Sequence, residues 1–209
     1  MNRKRSLARR TAVLAAAGAA ALVLAACGGD GDSSTGHGSH GNSSASAAAS
    51  ASQGQHNAAD VTFAQGMIPH HRQAVEMADL APARAQSGEV KELAEQVKKA
   101  QDPEIRTLSG WLVSWGEDVP AEGAMDHSMH GGMEGMMSAE DMDELKTAKG
   151  TEFDKMFAEM MIEHHNGAIV MAKDEQQNGE NAEAKKMAGD IVTGQSAEVT
   201  QLQNILDRL

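Results

Sequence analysis

The 209-residue sequence predicts an all-α protein, a four-helix bundle made from two duplicated helical hairpins behind a disordered N-terminal tether. Three observations predict it. Residues 63–112 align without a gap on residues 157–206, with sixteen identities in fifty positions. Both copies carry apolar residues at helical spacing, bounded by capping and turn residues. The composition is rich in Ala and Met and almost free of aromatic residues, with no Tyr, three Phe and two Trp, which suits helices better than a β-sandwich.

The chain opens with an export address. Arg3, Lys4, Arg5, Arg9 and Arg10 precede an apolar run from Thr11 to Ala26 that is too short and too rich in Ala and Gly for a comfortable membrane span. The run ends Leu24-Ala25-Ala26-Cys27, which resembles a lipobox. Residues 1–26 are thus expected to be a lipoprotein signal peptide, with Cys27 the lipidated residue that anchors the protein to the outer face of the bacterial cytoplasmic membrane. Arg9-Arg10 also fits twin-arginine export. Cys27 is the one cysteine, so an internal disulfide and any multi-Cys zinc or iron–sulfur site are excluded.

Residues 27–59 form a linker of Gly, Ser, Ala, Asn and His, with too little apolar surface to offset the entropy of ordering. His37, His40 and His56 lie in it, either as scattered linker residues or as weak metal contacts. The expected helical domain covers 60–209: repeat 1 at 60–116, a Met/His-rich loop at 121–137 and repeat 2 at 138–209.

In repeat 1 the leading helix is expected to open at Asp60 or Thr62 and close at Ser87-Gly88, with Val90, Leu93, Val97, Ile105, Leu108 and Leu112 marking the return. Pro69 removes a backbone donor, so a kink or altered turn is expected just before His70. In repeat 2 Ser138 should cap a short helix through about Lys149, and Thr151 the next, which stops at Asn178-Gly179. A return helix should then fill about Ala182 to Leu209. Each hairpin can bury its stripe only against the other, hence a bundle with approximate two-fold symmetry.

The densest similarity surrounds a double histidine, His70-His71 in one copy and His164-His165 in the other. Phe157, Met160, Met161, Ala168 and Met171 fall within about 60° of His164 around the helix, which puts that histidine in the buried stripe and His165 at its edge. The two-fold relation should bring His70 and His164 together across the core. Burying imidazole is costly unless its nitrogens find partners, and a metal supplies one. Met67 and Met161 sit three residues before the central His, so thioether and imidazole can converge within a turn. That donor set favours Cu(I), with Cu(II) or zinc through the histidines and iron less suited. The plain alternative is Met packing with His hydrogen-bonded to His, carbonyl or water.

The connection offers a second soft set: Met125, His127, Met129, His130, Met133, Met136 and Met137, interleaved with Gly and with Asp126 and Glu134. Exposed Met and His in a flexible anionic loop read as a secondary copper trap, or as a linker whose Met absorbs oxidants. With a net charge of −12 and few rings to stack on, nucleic acid is excluded as a partner. The expected partners are metal ions and the membrane, through the lipid.

The paired motifs FAQGMIPHHRQAVEMA and FAEMMIEHHNGAIVMA resemble the domain-of-unknown-function 305 family (DUF305), whose members resemble ferritin-like four-helix bundles. Some members are copper-binding proteins linked to copper resistance. The resemblance implies a copper site at Met67, His70, His71, Met77, Met161, His164, His165 and Met171. It implies copper sequestration or buffering rather than catalysis. Two other functions stay open: a ferritin-like metal-dependent oxidase, although no Glu lies three residues before any His as di-iron sites require, and a structural envelope module without metal.

Overall fold

The computed structural model describes residues 54–122 and 134–209. They form five helices: α1 (Ala58–Arg84), α2 (Gly88–Trp115), α3 (Ala139–Thr147), α4 (Thr151–Asn178) and α5 (Ala182–Leu206). α1 packs along α2 and α4 along α5, giving two hairpins; α1 and α4 then pack on each other, while α2 and α5 touch at few points. The long helices are those expected from the repeat. The signal peptide, Cys27, His37, His40, Met125, His127, Met129, His130 and Met133 lie outside the described residues.

Several boundaries differ from expectation, each for a local reason. α1 begins earlier, because Asn57 caps it by accepting from Ala59 N and Asp60 N while the Asp60 carboxylate accepts from Asn57 N. α1 stops at Arg84, and Ser87 caps α2 instead of closing α1. Gly150, not Thr151, is the residue before α4; its φ of 65° is a conformation that favours glycine. Ser138 does cap α3 through a capping box with Asp141, though the helix ends at Thr147. α1 is helical without a break through Pro69 and Pro82.

Two buried carboxylates lock the hairpins together. Asp154 accepts from Gln86 N (3.1 Å) and Ser87 N (2.8 Å), in the α1–α2 turn. Asp60 accepts from Glu180 N (3.1 Å) and Asn181 N (2.9 Å), in the α4–α5 turn. Asp60 and Asp154 are related by the same 94-residue offset as the repeats, and so are the turn residues they hold. Each leading helix therefore clasps the other hairpin's turn, and the internal two-fold is written in hydrogen bonds. Among the described residues no helix is long and apolar enough to cross a membrane.

The core is split. One apolar cluster gathers Ala74, Met77, Ala78 and Ala81 of α1 with Phe153, Phe157, Ala158, Met160 and Met161 of α4. The other gathers Phe63, Ala64, Met67 and Ile68 of α1 with Ala168 and Ala172 of α4. In both helices the double histidine falls between the stretches that feed the two clusters. A polar layer thus interrupts the hydrophobic interior at mid-height, which a bundle built only for stability would avoid.

Candidate metal centre

His70, His71, His164 and His165 are all fully buried. The rings of His70 and His164 meet across the α1–α4 contact with centroids 3.8 Å apart at 46°, as the two-fold relation predicts. Neither nitrogen of either ring has a hydrogen-bond partner among the described residues, and the Nδ1 atoms of His71 and His165 have none either. Six ring nitrogens are thus withdrawn from water without compensation from the described residues, each at a cost of about 1–3 kcal/mol. A packed structural histidine would be expected to satisfy at least one of them.

Burial drives the electrostatics. His70 is pushed down to about 3, first by desolvation and then by the neighbouring His71, with the Glu134 backbone acting against them and His165 adding less. His164 is lowered well below the ordinary imidazole range by burial first and then by the other three histidines. Both central rings are therefore neutral at physiological pH, the state in which imidazole can donate a lone pair to a metal.

The sulfur atoms divide between the two sides of the histidine layer. Met67 is fully buried in one cluster, while Met77 and Met161 are fully buried in the other. Met171 is half-buried against the first side, its Sδ 3.7 Å from where a Cβ on Gly66 would stand. Each side of the layer thus receives motif methionines from both helices. Among the described residues no three His, Cys, Asp or Glu side chains converge on one metal-sized point, so the carboxylate set of a di-iron oxidase does not assemble there.

The loop residues divide differently from expectation. Met136 is half-buried, and Met137 is buried in the core and not exposed in a flexible loop. Its backbone is gripped at both polar atoms by Gln73, which accepts from Met137 N (2.8 Å) and donates to Met137 O (2.9 Å). Immediately before it, Glu134 and Gly135 lie so close to Gly167 that a Cβ there would stand 1.9 Å from the Glu134 carbonyl oxygen. Gln73 and Gly167 occupy equivalent positions in the two repeats, so this strap crosses both leading helices beside the histidine layer. On the other side Arg72 donates to the carbonyls of Pro120 (2.8 Å) and Ala121 (3.0 Å). The ends of the Met/His-rich loop are thus fastened next to His70 and His71. His56, assigned to the linker, stacks on Trp115 with centroids 4.7 Å apart.

Sequence reasoning missed two residues that touch the histidines. Glu104 and Glu198, on the returning helices, reach His71 Nε2 (2.8 Å) and His165 Nε2 (2.6 Å). The signal was present, since they are identical residues at the repeat offset, as are the buried Gln101 and Gln195 one turn earlier.

Comparison with known proteins places this geometry. Two solved DUF305 structures are similar: one from Streptomyces coelicolor, described as a candidate secreted protein (30% identity, 72% of this chain and 93% of that one, TM-score 0.65), and a fragment from Deinococcus radiodurans (29% identity, 73% and 98%, TM-score 0.65). CopM is also similar, in a Cu(I)-bound form (33% identity, 71% and 96%, TM-score 0.60) and a Cu(II)-bound form (34% identity, 71% and 96%, TM-score 0.61). No curated protein sequence matches. The family model described as "Domain of unknown function (DUF305)" matches residues 60–206, the stretch that holds both hairpins and the buried histidine layer, and the chain belongs to that family.

Proposed function

We propose that this protein is a lipid-anchored, extracytoplasmic copper-binding protein that sequesters or buffers the metal. The observation that carries this reading is the layer of four buried histidines, six of whose ring nitrogens have no hydrogen-bond partner among the described residues. Met67, His70, His71, Met77, Met161, His164, His165 and Met171 would hold the ion. Thioether and neutral imidazole without thiolate suit Cu(I) best, and the histidines alone can keep Cu(II). CopM, which has been solved with Cu(I), Cu(II) and silver bound, supports the same chemistry here.

The loop adds capacity. Met125, His127, Met129, His130 and Met133 belong to the segment between the two fastened ends and would bind further ions more weakly. Met136 and Met137 lie in the strap that docks on the bundle. Cys27 would carry the lipid that keeps the protein at the membrane where metal arrives.

Anaerobic Cu(I) titration of the full chain, read by X-ray absorption and by competition with a colorimetric chelator, tests the reading. Wild type should show mixed sulfur and nitrogen ligation with a tight and a weak class of site. Changing His70, His71, His164 and His165 together to Ala should abolish the tight class and leave the weak one. Unchanged stoichiometry and affinity in that variant would refute the assignment.

A further inference from the structure

In both repeats the flanking histidine meets a carboxylate from the returning helix of its own hairpin. His71 Nε2 and Glu104 Oε2 are 2.8 Å apart, His165 Nε2 and Glu198 Oε2 2.6 Å, and the sequence separation is 33 residues in each case. The contact was copied together with the motif. The imidazoles are fully buried, whereas the carboxylates keep 22% and 15% of their side-chain surface in water. Each pair thus joins a partly exposed carboxylate to a fully buried ring.

The pairing constrains where the ring proton sits. With the proton on Nδ1 alone, the Nε2 lone pair would face a carboxylate oxygen at hydrogen-bonding distance, which is repulsive. With protons on both nitrogens, a buried Nδ1–H would be left without an acceptor, because nothing among the described residues reaches it. The arrangement free of both penalties donates Nε2–H to the carboxylate and leaves an unprotonated Nδ1 lone pair facing the interior. Histidines that ligate metals are commonly fixed in this way through their other nitrogen.

We propose that Glu104 and Glu198 are positioning residues of the metal centre, each holding its histidine in the orientation and tautomer that presents Nδ1 to a soft cation. The proposal rests on the reading of His71 and His165 as copper ligands, but the tautomer is a property of the metal-free protein and can be measured without metal. Gln101 and Gln195 fit the same design. They are duplicated and buried one turn from each glutamate, with side-chain polar atoms that lack partners. The returning helices thus supply a polar second layer behind the ligands of the leading helices. A purely structural His–Glu pair would stabilise the bundle equally well with Nδ1 bonded to a carbonyl, and among the described residues neither copy has one.

The test uses the full chain labelled with 15N at histidine. In the metal-free wild type, two-bond 15N–1H correlation spectra should show the Nε2–H tautomer at His71 and His165. The E104Q/E198Q variant should keep it, since an amide oxygen still accepts the hydrogen bond. The E104L/E198L variant should shift towards Nδ1–H or a mixture, with Cu(I) dissociation constants 10- to 100-fold higher by chelator competition and the Gln variant close to wild type. Should the double Leu variant fail to fold, E104L alone should change His71 and spare His165. An unchanged tautomer in the Leu variants, or an altered tautomer with unaltered Cu(I) affinity, overturns the proposal. Wild type that binds Cu(I) with Nδ1-protonated His71 and His165 overturns the positioning role alone. Wild type that shows the expected tautomers yet ignores Cu(I) overturns the copper reading and the positioning role with it.

Discussion

Replacing the central histidines by leucine, in the double variant H70L/H164L, should make the metal-free protein more stable while destroying its tight site. The two rings are fully buried with centroids 3.8 Å apart at 46°, and their four nitrogens lack partners among the described residues. Each orphaned polar group costs about 1–3 kcal/mol, and leucine, of similar volume, removes all four while extending the apolar clusters on either side. Imperfect shape match returns roughly 1–3 kcal/mol. Set against the ~4–12 kcal/mol of the four groups together, this leaves an expected net gain at pH 7.5 of at least ~1 kcal/mol, measured as the urea midpoint at constant m. Acid enlarges the difference. The folded-state pKa of His70 is depressed to about 3, so between the unfolded value of about 6.5 and that point the unfolded chain binds a proton that the folded chain refuses. Wild-type stability therefore falls as pH drops through this window, by up to ~1.4 kcal/mol per pH unit for each such ring, and the variant lacks the slope. With Cu(I) at about a thousand times its dissociation constant the difference should shift by ~4 kcal/mol in favour of wild type, because binding stabilises wild type alone. A variant less stable than metal-free wild type by more than about 1 kcal/mol at pH 7.5, or one with the same acid slope, would refute the claim that these histidines are held at the expense of stability.

Four other perturbations follow from the geometry. Deleting residues 125–133 should lower copper capacity with the helical circular dichroism intact, whereas extending the deletion through Met137 should also lower the melting temperature, because Met137 belongs to the core; equal melting temperatures for the two deletions would count against this. G167A drives a Cβ into the Glu134 carbonyl, so hydrogen exchange at residues 135–137 should accelerate, with a loss of about 1–3 kcal/mol, while protection within α5 persists. D154A strands the Gln86 and Ser87 amides and should cost ~2–4 kcal/mol in urea; a loss below about 0.5 kcal/mol would mean that the clasp between hairpins is not structural. Glu175 is pushed up to about 8 by burial and by the adjacent Asp60, so the folded chain keeps a proton that the unfolded chain releases above about 4.5. Its contribution is complete below that value and is lost as pH rises through 8. Relative to E175Q, wild type should weaken across this window, and parallel stability–pH curves would exclude it.

The four long helices, their pairing into hairpins and the burial of the double histidines were legible in the amino-acid order. Helical periodicity is a local property, and a duplicated apolar stripe has few ways to leave water other than against its copy. The facing of His70 and His164 followed from the symmetry alone. Helix ends were less legible: Ser87 and Thr151 are both good caps by residue type, and only the backbone chose Ser87 for α2 and passed over Thr151 for Gly150. Met137 was misjudged because its neighbours are Gly, Met and His, while its burial comes from Gln73, 64 residues away. Glu104 and Glu198 were visible as repeated residues without a visible purpose, Asp60 was read only as a helix start, and the role of Asp154 went unread. Their partners lie on other helices or in the other hairpin's turn, and which side chains meet there depends on the rotation and relative height of packed helices. That is the division in this protein. Local patterning along the chain dictates that the helices form and which face each one buries; the pairing of carboxylates with rings and of clasps with turns arises only once two copies of the hairpin close on a common axis, because hydrogen bonds need ångström-level register that a hydrophobic stripe does not specify.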